Sequence, residues 1–439
     1  MSVGSDNTHV LSLLDRNGWI IFATRMLRLF GYGMVSVVLM LYLTGRGLSQ
    51  TDAGLLLTLG LLGDTVISLW ITTRADRLGR RNMLWIAASR IIVAGAVMAL
   101  TGNFMVLAIA VCLGVISPSG NEAGPFLAIE QAALSHLICA RSRTGVFAWY
   151  NLAGSVATAL GALAAGLLVY ALRSNGVAAL ADYQIILIAY AIIGGVLMGL
   201  FFGLTPAIET PVTASRHASD LLLGLHRSRR TVFKLSALFS LDAFGGGFVI
   251  QALLAYWFHV RFGVHVMTLG TIFFGANILA GISALAASRL ARSFGLINTM
   301  VFTHIPSNIL LIMVPLMPNL PLAIIVLLAR FSISQMDVPT RQAYTMAVVD
   351  PDERSAAAGI TGIARSTGAA ISPLIAAQLL AIPALSSLPF FIAGGIKLIY
   401  DLTLWRNFRR TETIEKIHIP EVPTAPKKPG VNSAAGSNT

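Results

Sequence analysis

The chain has 439 residues, of which 56% are hydrophobic and 11% are charged, and its formal net charge is +12. An average soluble domain carries charge on about 25% of its residues, so this composition excludes an ordinary soluble protein and predicts an integral membrane protein. The positive charge does not indicate nucleic-acid binding, because the basic residues collect in short segments between apolar stretches. Neither the two cysteines, Cys112 and Cys139, nor the eight histidines form a spaced cluster, so no cofactor or metal site is expected.

Twelve apolar stretches follow one another along the chain, each near the ~20 residues that a membrane-spanning helix needs. Backbone hydrogen bonding inside lipid predicts that each stretch is a helix. The fourth is long for one crossing, which predicts a tilt or a projection into the cytoplasm. The predicted spans are residues 18–43, 51–72, 83–101, 104–135, 144–170, 183–205, 234–258, 267–288, 296–316, 320–347, 356–380 and 388–405.

Polar segments divide the spans into six and six. With the N-terminus and every second loop placed in the cytoplasm, that side holds most lysines and arginines, and the opposite face holds only Arg46, Arg173 and Arg261. This asymmetry predicts a multi-pass protein of the cell membrane with both termini cytoplasmic. The predicted parts are a cytoplasmic N-terminus (1–17), an N-terminal six-helix bundle (18–205), a cytoplasmic central loop (206–233), a C-terminal six-helix bundle (234–405) and a largely disordered cytoplasmic tail (406–439).

Two pairs of segments indicate an internal duplication. "QAALSHLICARSRTGVFAWYNLAGSVATALGAL" from Gln131 aligns with "QAYTMAVVDPDERSAAAGITGIARSTGAAISPL" from Gln342. "RLFGYG" from Arg28 aligns with "DAFGGG" from Asp242 at nearly the same spacing along the chain. Halves related in this way, with a site between them near the middle of the membrane, are typical of secondary transporters.

A short charged turn, "TTRADRLGRRN" from Thr72 to Asn82, separates spans two and three. An aspartate among arginines can accept bidentate hydrogen bonds or cap a helix start on the other bundle, and a glycine permits a tight turn. We therefore predict a cytoplasmic gate; the alternative is a positive-inside anchor, which needs neither the aspartate nor the glycine. The predicted gate residues are Gly63, Asp64, Asp76, Arg77, Gly79, Arg80 and Arg81.

The pattern G-x12-D-R-x-G-R-R, from Gly63 to Arg81, resembles the signature loop of the major facilitator superfamily. Thr72 departs from the family, in which a glycine is usual four residues before the aspartate. The resemblance implies an all-α integral membrane fold of two six-helix bundles that rock around a central site. It also implies that spans one, four, seven and ten line the cavity.

Ionisable residues within spans cost about 2.5–3.5 kcal/mol each at a helix centre, so their default interpretation is a functional site. In the repeat Arg28 aligns with Asp242 and Glu130 with Arg341, so both positions carry charge in each half with the sign exchanged. The alternative is ion pairing that only fixes packing, because Asp337 and Arg341 are four residues apart. The candidate substrate or coupling-ion residues are Arg25, Arg28, Glu122, Glu130, Asp242, Arg330, Asp337 and Arg341. For Arg25 and Glu130 a role in the gate is the alternative.

Arginine keeps its proton, so the arginines supply fixed positive charge, which favours an anionic or zwitterionic substrate. The carboxylates are the candidates for proton coupling. Lys397 in span twelve is expected to snorkel or pair. We predict a monomeric, proton-coupled secondary transporter of a small molecule, with no enzyme activity.

Two alternatives stay open. One is a drug/proton antiporter of hydrophobic compounds, because Gly154, Gly161 and Gly166 in span five are similar to that group's motif, although its Gly-Pro pair is missing. The other is a sensor or scaffold with a transporter fold that binds without transporting.

Overall fold

A computed structural model of the chain describes residues 14–138, 143–209, 225, 227–350 and 353–409. The predicted tail from residue 410, residues 1–13 of the predicted N-terminus and most of the predicted central loop lie outside the described residues. The first half comprises α1 Arg16–Gly45, α2 Gln50–Leu78, α3 Arg80–Leu100, α4 Phe104–Leu113, α5 Phe126–Leu137, α6 Arg143–Ser174 and α7 Ala181–Phe202. The second half comprises α8 Arg229–Gly247, α9 Gln251–Phe262, α10 Val266–Phe294, α11 Leu296–Met313, α12 Leu320–Ser334, α13 Asp337–Ala347, α14 Arg354–Leu380 and α15 Leu388–Phe408.

Eleven helical stretches of the described residues are long and apolar enough to cross a membrane. Two of these stretches are interrupted, because α8 with α9 forms the seventh predicted span and α12 with α13 forms the tenth. The shorter apolar α4, followed by α5, occupies the place of the fourth predicted span. The predicted all-helical membrane fold is confirmed.

The prediction of one continuous helix over residues 104–135 is wrong. The helix ends at Leu113 and resumes at Phe126, and the segment between them contains Gly120 and Gly124 in the left-handed region, with φ of 71° and 81°. Spans seven and ten, which the sequence also predicts as continuous, break at residues 248–250 and 335–336. Broken helices inside a membrane protein expose backbone polar groups that need partners.

Two charged side chains supply such partners at the break in span four. Arg90 of α3 donates from Nε to the Leu113 carbonyl at 2.7 Å and from Nη2 to the Gly114 carbonyl at 2.9 Å. Asp64 of α2 accepts from the Gly124 amide at 2.8 Å, and it pairs with Arg90 at 3.0 Å. Since an unsatisfied backbone group in hydrocarbon costs several kcal/mol, this pair stabilises the break.

Glycines let α1 cross α6 with their backbones in contact. A Cβ on Gly33 of α1 would overlap the Thr158 carbonyl of α6. The second half repeats this crossing, because a Cβ on Gly247 of α8 would overlap the Ala369 carbonyl of α14. These four positions correspond in the alignment of the two halves, so the predicted duplication is visible in the packing.

The two ends of the molecule differ in how the halves meet. We call the end that carries the loop around Gly79 the motif side, and the opposite end the far side. Hydrogen bonds between the halves cluster towards the far side. They include Gln50 to Tyr256 at 3.0 Å, Ala252 N to Pro118 O at 2.9 Å and Gln251 to Ser36 at 2.8 Å.

The antiparallel pair of α2 and α14 separates along its length. Near the far side the Leu374 amide donates to Thr58 Oγ1 at 3.1 Å. If the antiparallel alignment set by Thr58 and Leu374 continued, Leu69 would face Ile363 nearer the motif side. Their side chains are instead 41% and 38% exposed. A Cβ added at Gly362 would contact no heavy atom within 4 Å. Among the described residues, α2 and α14 are therefore hydrogen-bonded towards the far side and less closely packed towards the motif side.

Candidate functional site

A cavity of about 280 Å³ lies between the two halves. Its wall comes from α1, the break in span four, α6, the break in span seven, α10, α12 and α15. The polar side chains that line it are Arg25, Ser119, Asn121, Glu122, Asn151, Ser155, Thr158, Gln251, Asn277, Arg330, Gln335 and Lys397. A pocket this rich in amides, hydroxyls and charges is suited to a polar ligand.

Gln251 closes the far end of this cavity. Its side-chain amide donates to Ser36 Oγ of the first half at 2.8 Å, and its carbonyl oxygen accepts from Asn277 of α10 at 3.1 Å. The adjacent residue, Ala252, bonds to the Pro118 carbonyl in the break of span four. The breaks in spans four and seven thus meet where the cavity ends.

The first half holds a cluster of four predicted site residues. Arg28 binds both oxygens of Glu130, at 2.8 Å and 2.7 Å, and Glu122 at 2.8 Å. Arg25 lies 3.1 Å from the second Glu122 oxygen, and Tyr150 donates to Glu130. Arg28 and Glu130 are 0% exposed and lie behind the wall, whereas Arg25 and Glu122 reach the cavity.

The second half holds a cluster built around Asp242 of α8. Lys397 of α15 donates to Asp242 Oδ1 at 2.6 Å, and Arg341 of α13 lies 3.3 Å from Oδ2. Arg341 also pairs with Asp337 at 2.8 Å, the contact within one helix that the packing alternative expects. Lys397, expected from sequence to snorkel or pair, pairs with Asp242 and also lines the cavity.

Two members of this cluster were missed by sequence reasoning, His304 of α11 and Asp401 of α15. His304 Nδ1 lies 2.8 Å from Asp401 Oδ1, and Asn308 donates to the other Asp401 oxygen at 2.9 Å. His304 Nε2 faces Asp242 at 3.9 Å. The available signal was the position of both residues in apolar spans, where an ionisable group needs a partner.

Positive charge exceeds negative charge in the second half of the site. Among the described residues, four basic side chains, Arg330, Arg341, Arg365 and Lys397, lie near three carboxylic side chains, Asp242, Asp337 and Asp401. Nε of Arg330 and Nε of Arg365 are buried without a hydrogen-bond partner in the part of the chain that the structure describes. A buried donor without a partner is costly, and Arg330 lines the cavity.

The predicted gate loop is held by an acid that sequence reasoning also missed. Glu209, which follows the last span of the first half, accepts from the backbone amides of Arg80 and Arg81 at 2.7 Å and 3.1 Å. Asp76 accepts from Arg80 Nε at 2.9 Å. Gly79 has φ of 94°, which explains its place in the turn.

The predicted gate residues Gly63 and Asp64 lie deeper in the bundle than this loop. A Cβ on Gly63 would overlap the Cys112 backbone of α4, and Asp64 holds the break in span four. Their contacts favour support of that break, and their role in the gate stays a prediction.

The model of the family described as Major Facilitator Superfamily matches residues 21–373. The chain belongs to the major facilitator superfamily. This confirms the resemblance inferred from the loop at Asp76, and it makes the protein a membrane transporter rather than an enzyme.

Three proteins illustrate the similarity of this superfamily member to others. The uncharacterized membrane protein YJR124C of Saccharomyces cerevisiae is 29% identical over 88% of this chain and 92% of its own length. The nucleoside transporter NupG, as its D323A mutant, has a TM-score of 0.69 at 12% identity over 89% of this chain and 100% of its own. A bacterial homologue of the human lysosomal transporter Spinster, in an inward-facing and occupied conformation, has a TM-score of 0.68 at 16% identity over 93% of this chain and 98% of its own.

Proposed function

We propose that this superfamily member carries a small organic anion or zwitterion across the cell membrane by alternating access, with protons as the coupling ion. The observation that carries the proposal is the pair of cations in the cavity wall, Arg330 and Lys397. Arg330 presents a buried Nε without a partner among the described residues. A carboxylate or phosphate would provide the acceptor that this guanidinium lacks.

The residues of the first half that line the cavity are compatible with a zwitterionic ligand as well as with a simple anion. Arg25 and Glu122 face the cavity from the first half, while Arg330 and Lys397 face it from the second half. The Arg25–Glu122 pair balances its own charge at 3.1 Å. A ligand with an acidic end towards Arg330 and a polar or basic end towards Glu122 would complement both walls.

The arrangement of contacts between the halves supports alternating access. The far side is joined through Gln251 and Tyr256, while α2 and α14 separate near Leu69 and Ile363. We propose that the motif side is cytoplasmic, because it carries the arginines of the Asp76 loop. The described conformation is then an inward-facing one.

The hydrophobic-drug alternative finds less support in this cavity. Asn121, Asn151, Gln251, Asn277 and Gln335 all face it. Amide groups that lose water without gaining a partner penalise a purely apolar ligand. The wall therefore favours a ligand with several hydrogen-bonding groups.

Ligand-induced thermal stabilisation of the purified full chain in nanodiscs tests the proposed substrate class. The probes are lactate, succinate, benzoate, alanine, glutamate, xylose and tetraphenylphosphonium. A bound ligand raises the melting temperature by mass action. We expect stabilisation by an anion or an amino acid, lost in Arg330→Gln and kept in the far-side control Arg46→Gln. Stabilisation by tetraphenylphosphonium alone, unchanged in Arg330→Gln, would reject the proposed substrate class.

A further inference from the structure

We propose that Nε2 of His304 binds the coupling proton, in a site made by α8, α11 and α15. This inference rests on the proposed function, because it names the residue through which a proton and an anion are linked. The site lies beside the cavity and involves two residues, His304 and Asp401, that are not among the predicted site residues.

The hydrogen bonds of the imidazole determine which nitrogen exchanges the proton. An ionised carboxylate only accepts hydrogen bonds, so with Asp401 ionised the contact of 2.8 Å between its Oδ1 and His304 Nδ1 requires a hydrogen on Nδ1. Nε2 is then the basic nitrogen of the neutral ring. It lies 3.9 Å from Asp242 Oδ1, so a proton added there faces a second carboxylate.

Charged groups from every neighbouring helix act on this ring. Asp242 of α8 and Asp401 of α15 favour the imidazolium, while Lys397 of α15 opposes it. From α13, Asp337 also favours the imidazolium, and it pairs with Arg341 at 2.8 Å. The remaining groups are Tyr400 of α15, whose ring lies 6.0 Å away, Arg330 of α12 and Arg365 of α14, both near Asp242 and Asp337, and Arg289 and Arg292, exposed at the motif-side end of α10.

Lys397 connects this ring to the cavity. Lys397 lines the cavity, and its ammonium donates to Asp242 Oδ1 at 2.6 Å, the oxygen that faces His304 Nε2. An anion in the cavity would attract Lys397 away from Asp242. Asp242 Oδ1 would then be free to accept from a protonated Nε2, so anion binding favours proton binding.

Linkage makes the effect reciprocal, because a bound proton must raise the affinity for the anion by the same factor. The site therefore favours binding of the anion and the proton together, which predicts that both are transported in the same direction, as in symport. Coupling free energies of this kind correspond to about 5- to 150-fold changes in affinity. We expect the anion dissociation constant to rise at least about fivefold between pH 6 and pH 8.

Nitrogen-15 NMR of histidine-labelled full chain in nanodiscs, from pH 5 to pH 8, tests the site directly. The His304 signal is assigned as the one missing from His304→Gln. We expect this signal to titrate at lower pH in Asp401→Asn and at higher pH in Lys397→Met, because these changes remove a stabilising and an opposing charge. The control His265→Gln, at an exposed histidine, should leave it unchanged. A His304 signal that is constant over the whole range, or that is the same in all variants, would overturn the proposal.

Measurements of anion binding distinguish a failure of this inference from a failure of the proposed function. We expect His304→Gln to bind the stabilising anion with a dissociation constant that no longer depends on pH. If His304 does not titrate while anion binding still depends on Arg330, the proton site is wrong and the proposed function stands. If His304 titrates as expected but none of the named anions or amino acids binds, the proposed substrate class is wrong.

Discussion

Arg28 and Glu130 form a two-pronged ion pair that is completely shielded from solvent, with nitrogen–oxygen distances of 2.8 Å and 2.7 Å. The corresponding residues of the second half, Asp242 and Arg341, pair between the same kinds of helices with the charges exchanged, through a single contact of 3.3 Å. The sequence alignment indicated that the charges at these two positions change sign between the halves. In the structure the two positions of each half pair with each other, so the change of sign preserves an ion pair in both halves. Each pair joins the first helix of its half to the motif-side part of a broken one.

Removal of Arg28 should lower stability, because Glu130 would stay buried without its cation. Breaking a buried ion pair by removing one partner costs about 3–5 kcal/mol. We expect Arg28→Ala to lower the melting temperature in detergent far more than Arg25→Ala does, since Arg25 borders the cavity. The exchanged double variant Arg28→Glu/Glu130→Arg should recover part of the loss. Equal melting temperatures for Arg28→Ala and the wild type would contradict the assignment of Arg28 to a stabilising pair.

Asp76 should matter for turnover and not for ligand binding. In this conformation it binds Arg80 of its own half, and we predict that it holds the motif side closed in the opposite conformation. Asp76→Asn should retain ligand-induced thermal stabilisation and abolish transport into proteoliposomes. Asp52→Asn, near the far side, is the control. Full transport by Asp76→Asn would show that the Asp76 carboxylate is not needed for the gate.

Glu209 should order the start of α3. Its carboxylate accepts from the amides of Arg80 and Arg81, and loss of a helix cap costs about 0.5–2 kcal/mol. We expect Glu209→Gln to increase amide hydrogen exchange at residues 80–84. Glu353→Gln provides a matched case, because Glu353 accepts from the amides of Arg227 and Ser228 before α8. Unchanged exchange at residues 80–84 would show that the cap is dispensable.

A covalent link across the far side should arrest transport. Gln50 and Tyr256 join the halves there by a hydrogen bond of 3.0 Å, and alternating access requires this contact to open. In a background with Cys112 and Cys139 replaced by Ser, Gln50→Cys/Tyr256→Cys treated with a short bismaleimide should bind ligand but not transport it. Each single cysteine variant, treated identically, should transport normally. Transport by the cross-linked protein would argue against opening at this contact.

The parts of the fold that depend on local sequence could be predicted. Length and apolarity placed the spans, and the spacing from Asp76 to Arg81 indicated the family, because these signals are contained in short stretches. The break in span four was missed although Pro118, Gly120, Gly124 and Pro125 mark it. Its stabilisation could not be predicted, since Arg90 donates to its carbonyls and Asp64 accepts from its Gly124 amide, both from other helices. His304 and Asp401 escaped for the same reason, because 97 residues separate them along the chain.

The backbone crossing of Gly33 with Thr158, and its repeat at Gly247 and Ala369, has a kinetic consequence. At Gly33 the backbone of α6 occupies the place of a side chain, and at Gly247 the Ala369 carbonyl and the Ser372 side chain occupy it, so sliding one helix along the other would create a clash. Each half then moves at least cost as one body, and the activation barrier for turnover arises at the interface between the halves. A larger residue at Gly33 should consequently impair assembly of the first half during membrane insertion, and the molecules that do assemble should cycle at a normal rate.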